Sequence, residues 1–335
     1  MDIKRIFIFI ALFSVFALPS CKKEKDDEID YKNSFSGSLL FSIPEYVAPG
    51  DTYIVTPSGL TRSDDKEKGI GIYWDCPELY IKKLMTRKEE DPLDKKGELT
   101  VNIIDSIGTV ALKCTAFADD FYSATASRSF VIVSPKNSLK YSDVAIGTRR
   151  FTDTRDKQVY TYKRIGNRDW MLRNLAYAGA GKPYHDCKAM DPIYGRYYTW
   201  EEAMEVCPEG WRLPDEEDWN DLYATVSEDK ENPAKGIAGS MMVTAYFNGD
   251  KLWEFWPEVK ITNKASFSAL PAGYATISGD HAKYTGSLEY AAFWTADEMD
   301  EEQAIYNYLY MKNPDLMVGS AHKNSFAASV RCVRD

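Results

Sequence analysis

Histidine is the scarcest chemistry-bearing residue in this chain of 335 residues: there are three, His185, His281 and His322. None has a second ligand at zinc spacing, and no Ser, His and acid trio carries a recognisable local signature. A Gly-rich phosphate loop is missing too. Positive charge is also short. Lys and Arg number 41 against 51 Asp and Glu, a net charge of −10, which is the wrong sign for a phosphate backbone and excludes nucleic acid as the expected partner. No metal or cofactor is expected. The apolar run from Ile6 to Val15 is too short for a permanent membrane span.

That run follows Lys4 and Arg5 and leads into Leu18-Pro19-Ser20-Cys21, so residues 1–20 read as a signal peptide. A cysteine directly after a small residue at this place resembles the lipobox of bacterial lipoproteins. The resemblance implies that the Cys21 thiol carries a diacylglycerol, and several acyl chains would hold firmly at ~0.8 kcal/mol per buried methylene. Residues 21–36 read as the lipidated N-terminus and a tether, solvated because Lys22 to Glu28 offers nothing apolar to bury. Acidic residues behind such a cysteine also resemble the surface-export signal of Bacteroidetes lipoproteins. The expected location is therefore the outer membrane, lipid-anchored and facing the exterior.

Residues 37–134 alternate apolar and polar in short runs: Leu39, Phe41, Ile43; Ile70, Ile72, Trp74; Leu99, Val101, Ile103; Val110, Leu112, Cys114; Phe130, Ile132. Period two without helical periodicity describes half-buried antiparallel strands, and about a hundred such residues predict an all-β sandwich. The pattern resembles bacterial immunoglobulin-like domains. Cys76 continues the Trp74 face and Cys114 the Leu112 face, so a Cys76–Cys114 disulfide is feasible if the two strands are neighbours; two buried thiols are the other outcome.

Ser134-Pro135 ends the last of these strands, and residues 135–145 read as a linker to a second domain, 146–335. Gly166-Asn167 predicts a hairpin turn, with Trp170 and Leu172 on one face and Met171 and Arg173 on the other. Thr199 with Glu202 forms a capping-box signature, so a helix starts at Trp200, turns Ala203, Met204 and Cys207 inward, and ends at Pro208. Asp215 caps a second helix whose apolar face is Trp219, Leu222, Tyr223 and Val226. Strands are expected within 267–276, 290–296, 304–311 and 326–335, giving an α+β domain. Seven of the eight tryptophans fall from Trp170 onward, so this domain has its own core.

Five segments in order carry a family resemblance: RDWMLRNLAY (168–177), YGRYYTWEEAMEVCPEGWRLPDEEDWNDL (194–222), FSALPAGY (267–274), FWTA (293–296) and SVRCVRD (329–335). Together they resemble the Fibrobacter succinogenes major paralogous domain, FISUMP, over about 146–335. The resemblance implies an extracellular lipoprotein domain related in fold to the C-type lectin and formylglycine-generating-enzyme group, with no established enzymatic activity. It also implies a disulfide from Cys207 to Cys332, leaving Cys187 unpaired; a Cys187–Cys207 bridge is the rival pairing.

Aromatic residues are the lead to a ligand. Tyr246, Trp253 and Trp256, with Phe247 and Phe255, surround an Asn248-Gly249-Asp250 turn, and alternating ring faces there could line a groove for a sugar or a peptide, with core packing expected for at least two of them. The acidic run Asp297 to Glu302 offers oxygen ligands for calcium but reads first as a solvated turn. Trp219-Asn220-Asp221 echoes a lectin calcium tripeptide yet falls in a predicted helix. His185-Asp186-Cys187 does not share a helical face, which speaks against a thiol enzyme. The expected function is non-catalytic recognition or adhesion at the cell surface, with a glycan or a protein as ligand. A structural subunit of a surface appendage and a formylglycine-generating-type enzyme are the alternatives.

Overall fold

The computed structural model of the chain describes residues 32–64, 69–76, 81–84, 97–142 and 149–335. The signal peptide, Cys21, most of the tether and the charged stretches 65–68 and 85–96 lie outside the described residues. Of the described residues 43% are strand and 12% helix, and their helices are confined to one part of the second half.

The first half contains β1 (Ser36–Leu40), β2 (Tyr46–Val47), β3 (Thr52–Val55), β4 (Ser58–Thr61), β5 (Gly71–Asp75), β6 (Ile81–Leu84), β7 (Leu99–Ile103), β8 (Gly108–Phe117) and β9 (Ala124–Ile132). They form sheets in the orders β2-β9-β8-β5, β3-β7-β6 and β1-β4. β8 shows why: Val110, Leu112, Cys114 and Ala116 are buried at every second position, and they meet Val55, Leu99, Val101 and Ile103 of the other sheet in one core. β2 pairs in parallel, laying Tyr46 and Val47 beside Val131 and Ile132 at the end of β9.

The expected Cys76–Cys114 bridge does not form, since the Cys114 thiol is free. β5 and β8 are neighbours, as the bridge requires, but the register sets Trp74 directly opposite Cys114. Cys76 sits two residues further on, in the diagonal position, where Cα atoms lie ~7–8 Å apart and beyond ordinary disulfide reach. Burial raises the pKa of Cys114 to about 11, so it stays a protonated apolar filler.

The second half contains β10 (Leu139–Tyr141), β11 (Arg149–Thr152), β12 (Val159–Ile165), β13 (Arg168–Met171), β14 (Lys182–Pro183), α1 (Asp191–Tyr194), β15 (Arg196–Tyr197), α2 (Trp200–Val206), α3 (Glu216–Val226) and α4 (Ala238–Met241). It continues with β16 (Ala245–Phe247), β17 (Asp250–Lys251), β18 (Tyr274–Ser278), β19 (His281–Thr285), β20 (Tyr290–Glu298), β21 (Gln303–Tyr310), β22 (Met317–His322), β23 (Phe326–Ala327) and β24 (Val333–Arg334). Four small sheets carry the frame, in the orders β11-β12-β13-β24, β10-β16-β17, β19-β18-β23 and β20-β21-β22. Within the stretch read as a linker, β10 pairs with β16, which fastens the connection to the second half.

The β12–β13 hairpin turns at Gly166-Asn167 as expected. Gly166 has φ +62°, and a Cβ there would lie 2.1 Å from Asp221 Oδ2, so the turn needs glycine twice over. Both faces of β13 are buried. Trp170 and Leu172 enter one core with Trp219, Phe267 and Phe293, whereas Met171 enters another with Trp200, Trp211 and Trp294.

α2 begins with the predicted capping box: Thr199 Oγ1 accepts from the Glu202 N–H, and Glu202 Oε2 accepts from the Thr199 N–H at 2.9 Å. Its inward face differs from the expected one. Trp200, Ala203 and Val206 are buried, Met204 is 45% exposed, and Cys207 is the extended residue after the last turn. There it bonds to Cys332. The tail reaches that point through irregular backbone: Ala328 exchanges hydrogen bonds with Tyr198, Leu175 N–H donates to Val330 O, and Met171 N–H donates to Cys332 O. Of the stretch 267–276 only Tyr274 onward is strand, because Ser266 and Ser268 adopt left-handed backbone (φ 61° and 58°).

Asp218 in the first turn of α3 is fully buried. It accepts from Arg168 Nε at 2.6 Å, Arg212 Nη2 at 2.9 Å and the Asp215 N–H at 3.0 Å. Burial alone would raise its pKa, but these donors outweigh it and hold the carboxyl below the usual range. A depressed carboxylate stabilises the fold above its ordinary pKa and ceases to do so as pH falls through the lower, folded value. Asp218→Asn is therefore expected to cost about 2–4 kcal/mol at pH 7, with the gap to wild type narrower at a pH below the ordinary carboxylate range. Urea denaturation at the two pH values checks this; an equal gap at both would show that charge is not the cause.

Candidate binding cleft

The three rings that the sequence singles out do not make a groove. Trp253 is 0% exposed, its Nε1–H donates to Ala269 O at 3.0 Å, and it belongs to the core around Trp219. Trp256 packs against that same core under Lys312. Tyr246 points outward from β16, beside Lys140 and Lys251 of the flanking strands. Strand alternation separates it from Ala245, which is buried.

The same stretch does reach a cavity, through the turn between β16 and β17. Asn248 and Gly249 take left-handed backbone (φ 52° and 98°) and reverse the chain. Asn248 N–H donates to Ser138 O at 2.8 Å, and its Nδ2–H donates to Ile132 O at 3.0 Å. The hairpin is thereby pinned to the end of β9. Phe247, Asp250, Lys251 and Leu252 then line one side of a cleft of about 270 Å3.

Tyrosines build the rest of it. Tyr184 stands edge-on to Tyr194 at 5.3 Å and to Tyr46 of β2 at 5.1 Å between ring centroids. Its hydroxyl donates to Ser287 Oγ at 2.9 Å. Thr109 and Val131 from the first half complete the lining, so both halves contribute walls. Burial, reinforced by the neighbouring Tyr184, raises the Tyr46 hydroxyl pKa, and burial raises that of Tyr194 well above the ordinary value. Both remain neutral at physiological pH. Below the cleft, Tyr197 donates to Ala272 O and Tyr284 to Pro183 O, fixing the rings that support Tyr184.

A polar contact spans the halves beside the cleft. His185 Nδ1 lies 2.8 Å from Glu45 Oε2. Burial lowers the imidazole pKa against the opposing pull of Glu45, so the neutral ring donates Nδ1–H to the carboxylate. Cys187 follows two residues later as a buried, free thiol, and desolvation raises its pKa. The Cys187–Cys207 pairing is thus not used.

The acidic run serves chain reversal. Asp297 accepts from the Glu216 N–H at 2.7 Å, Asp300 Oδ1 accepts from the N–H groups of Glu302 and Gln303, and Glu298 pairs with Lys323 at 2.9 Å. No group of three His, Cys, Asp or Glu suited to a metal occurs among the described residues. Asp221 of the Trp219-Asn220-Asp221 tripeptide accepts from the backbone N–H and Nδ2–H of Asn167, clamping the β12–β13 turn to α3. Sequence reasoning missed Tyr46, Tyr184 and Tyr194 as a group. Its only available signal was tyrosine density around the 194–198 segment, because Tyr46 arrives from far away in the chain.

The fold and the cleft define a mainly β protein whose helix-bearing half is tied at its tail by a disulfide and shares an aromatic cleft with the sheets before it. Residues 164–334 match the family model of the Fibrobacter succinogenes major domain, and the chain belongs to that family. No curated protein matches it. Among solved structures it is similar to a cohesin module from Clostridium perfringens ATCC13124 family 33 glycoside hydrolase, at 13% identity over 29% of this chain and 96% of that one, TM-score 0.21. It is also similar to the adhesin InvE of Yersinia pseudotuberculosis, at 9% identity over 90% of this chain and 70% of that one, TM-score 0.24. Neither likeness is close enough to carry a role across.

Proposed function

We propose that this chain is a non-catalytic recognition protein, anchored through lipid on Cys21 at the outer membrane and binding a glycan or a protein at the cell surface. The observation that carries this reading is the cleft: concave, walled by rings from both halves, and edged by hydroxyl and charged groups. A formylglycine-generating type of chemistry needs a reactive thiol, and Cys187 is buried with a raised pKa, which supports the non-catalytic reading. The membrane part rests on the Leu18-Pro19-Ser20-Cys21 segment. No helix among the described residues is long and apolar enough to cross a membrane.

Intact cells carrying the wild-type chain are compared with cells carrying Cys21→Ala. Wild-type cells are expected to capture a labelled glycan or a surface protein, and the variant to move to the soluble fraction and lose that capture. Wild-type cells that bind neither class of ligand would remove the recognition reading. Retention of Cys21→Ala in membranes would remove the anchor.

A further inference from the structure

We infer that the cleft takes one uncharged sugar ring, the end residue of a glycan, set against Tyr46 of the first half and Phe247 of the second; this rests on the recognition reading above. The space is the first reason. A cleft of about 270 Å3 lies just below the ~300–1,000 Å3 of ordinary small-molecule sites, a size suited to a single ring. The walls are the second. Tyr46 and Phe247, both partly exposed, line the space together with the buried Tyr184 and Tyr194, and a pyranose offers a flat C–H face to pack on such rings.

The rim supplies the third. Asp250 and Lys251 of β17 both line the mouth and are exposed, one charge of each sign. A carboxylate and an ammonium at one mouth give charge-assisted acceptors and donors to sugar hydroxyls, which both donate and accept. Ser287 Oγ already accepts from Tyr184, which leaves its own proton for a ligand oxygen. An anionic ligand meets no arginine in the lining and does meet Asp250, while a purely aliphatic one leaves the rim groups unmatched. Because Tyr46 comes from β2 and Tyr184 from the second half, one ring touches both halves at once.

Saturation-transfer NMR on the purified full-length protein tests this, with the methyl glycosides of glucose, galactose, mannose and N-acetylglucosamine as probes. Ring C–H protons of at least one probe are expected to take up saturation. Tyr46→Ala is expected to weaken that binding about tenfold. Lys251→Ala, on the exposed rim where the fold does not depend on it, is expected to weaken it measurably with an unchanged melting midpoint. Phe255→Ala, 78% exposed and outside the lining, is the unchanged control. No saturation of any probe, or saturation that survives both cleft variants at full strength, overturns the inference. If the sugars fail while capture of a surface protein is lost in both cleft variants, the sugar inference falls and the recognition reading stands. If capture on intact cells is absent as well, both fall.

Discussion

Removing the Cys207–Cys332 disulfide is expected to lower the stability of the second half by about 2–5 kcal/mol, the range for a native cross-link. The bond joins residues 125 apart, and the chain-entropy model gives about 5 kcal/mol for a loop of that length. Structure adds to the entropy. Cys332 accepts from the Met171 N–H, Val333 exchanges hydrogen bonds with Arg212, and β24 completes the sheet with β13. Loosening the tail therefore also loosens one edge of the core around Trp170. In thermal denaturation, Cys207→Ala/Cys332→Ala is expected to melt on the order of 10 °C below wild type, and reductant is expected to lower only the wild type. A double variant melting with wild type would mean that hydrogen bonds alone hold the tail.

Replacing Arg331 is the second large effect. This guanidinium is fully buried, and no carboxylate pairs with it among the described residues. It donates instead to Asn174 Oδ1 at 2.7 Å, Met171 O at 3.1 Å, Phe267 O at 2.6 Å and Ser268 O at 3.1 Å. It also lies over the rings of Phe267 and Phe293. Burial pulls its pKa down to about 9, so it is still charged at neutral pH. Asn174 is held in turn, donating to Tyr194 O and Ser329 Oγ. Arg331→Met would strand four acceptors away from water, at about 1–3 kcal/mol for each left unpaired. The expected loss after partial relaxation is about 3–5 kcal/mol, measured by urea denaturation. Arg331→Lys is expected to recover less than half of it, because an ammonium is a point donor and these acceptors are spread around a planar fork. Full recovery by lysine would show that charge, not the fork, is what the site requires.

Much of the local structure was legible in the sequence because short-range rules decide it. The capping box at Thr199, the cap at Asp215 and the Gly166-Asn167 turn depend on residues within one turn of each other, and all three formed as read. The alternation along β8 likewise shows which side chains are inside. The failures share a different cause. Cys76 and Cys114 lie on paired strands as supposed, yet a register offset of two residues keeps them apart, and register depends on the whole sheet. Core packing holds for two of the rings, as expected, but that these are Trp253 and Trp256 was not legible, because composition cannot distinguish a ring facing a ligand from one facing Trp219.

From the sequence alone came the family segments, the helix ends, the charge that disfavours nucleic acid, and the Cys207–Cys332 tie as the family resemblance implied it. Tertiary structure decided where the rings point and which of them meet. Tyr46 and Tyr184 are far apart in the chain, and they face each other because β2 lies parallel to the end of β9 while the Asn248 turn holds that end against the second half. Burial and long-range contact are properties of the folded surface, so a cleft assembled from two distant segments leaves no local pattern to read.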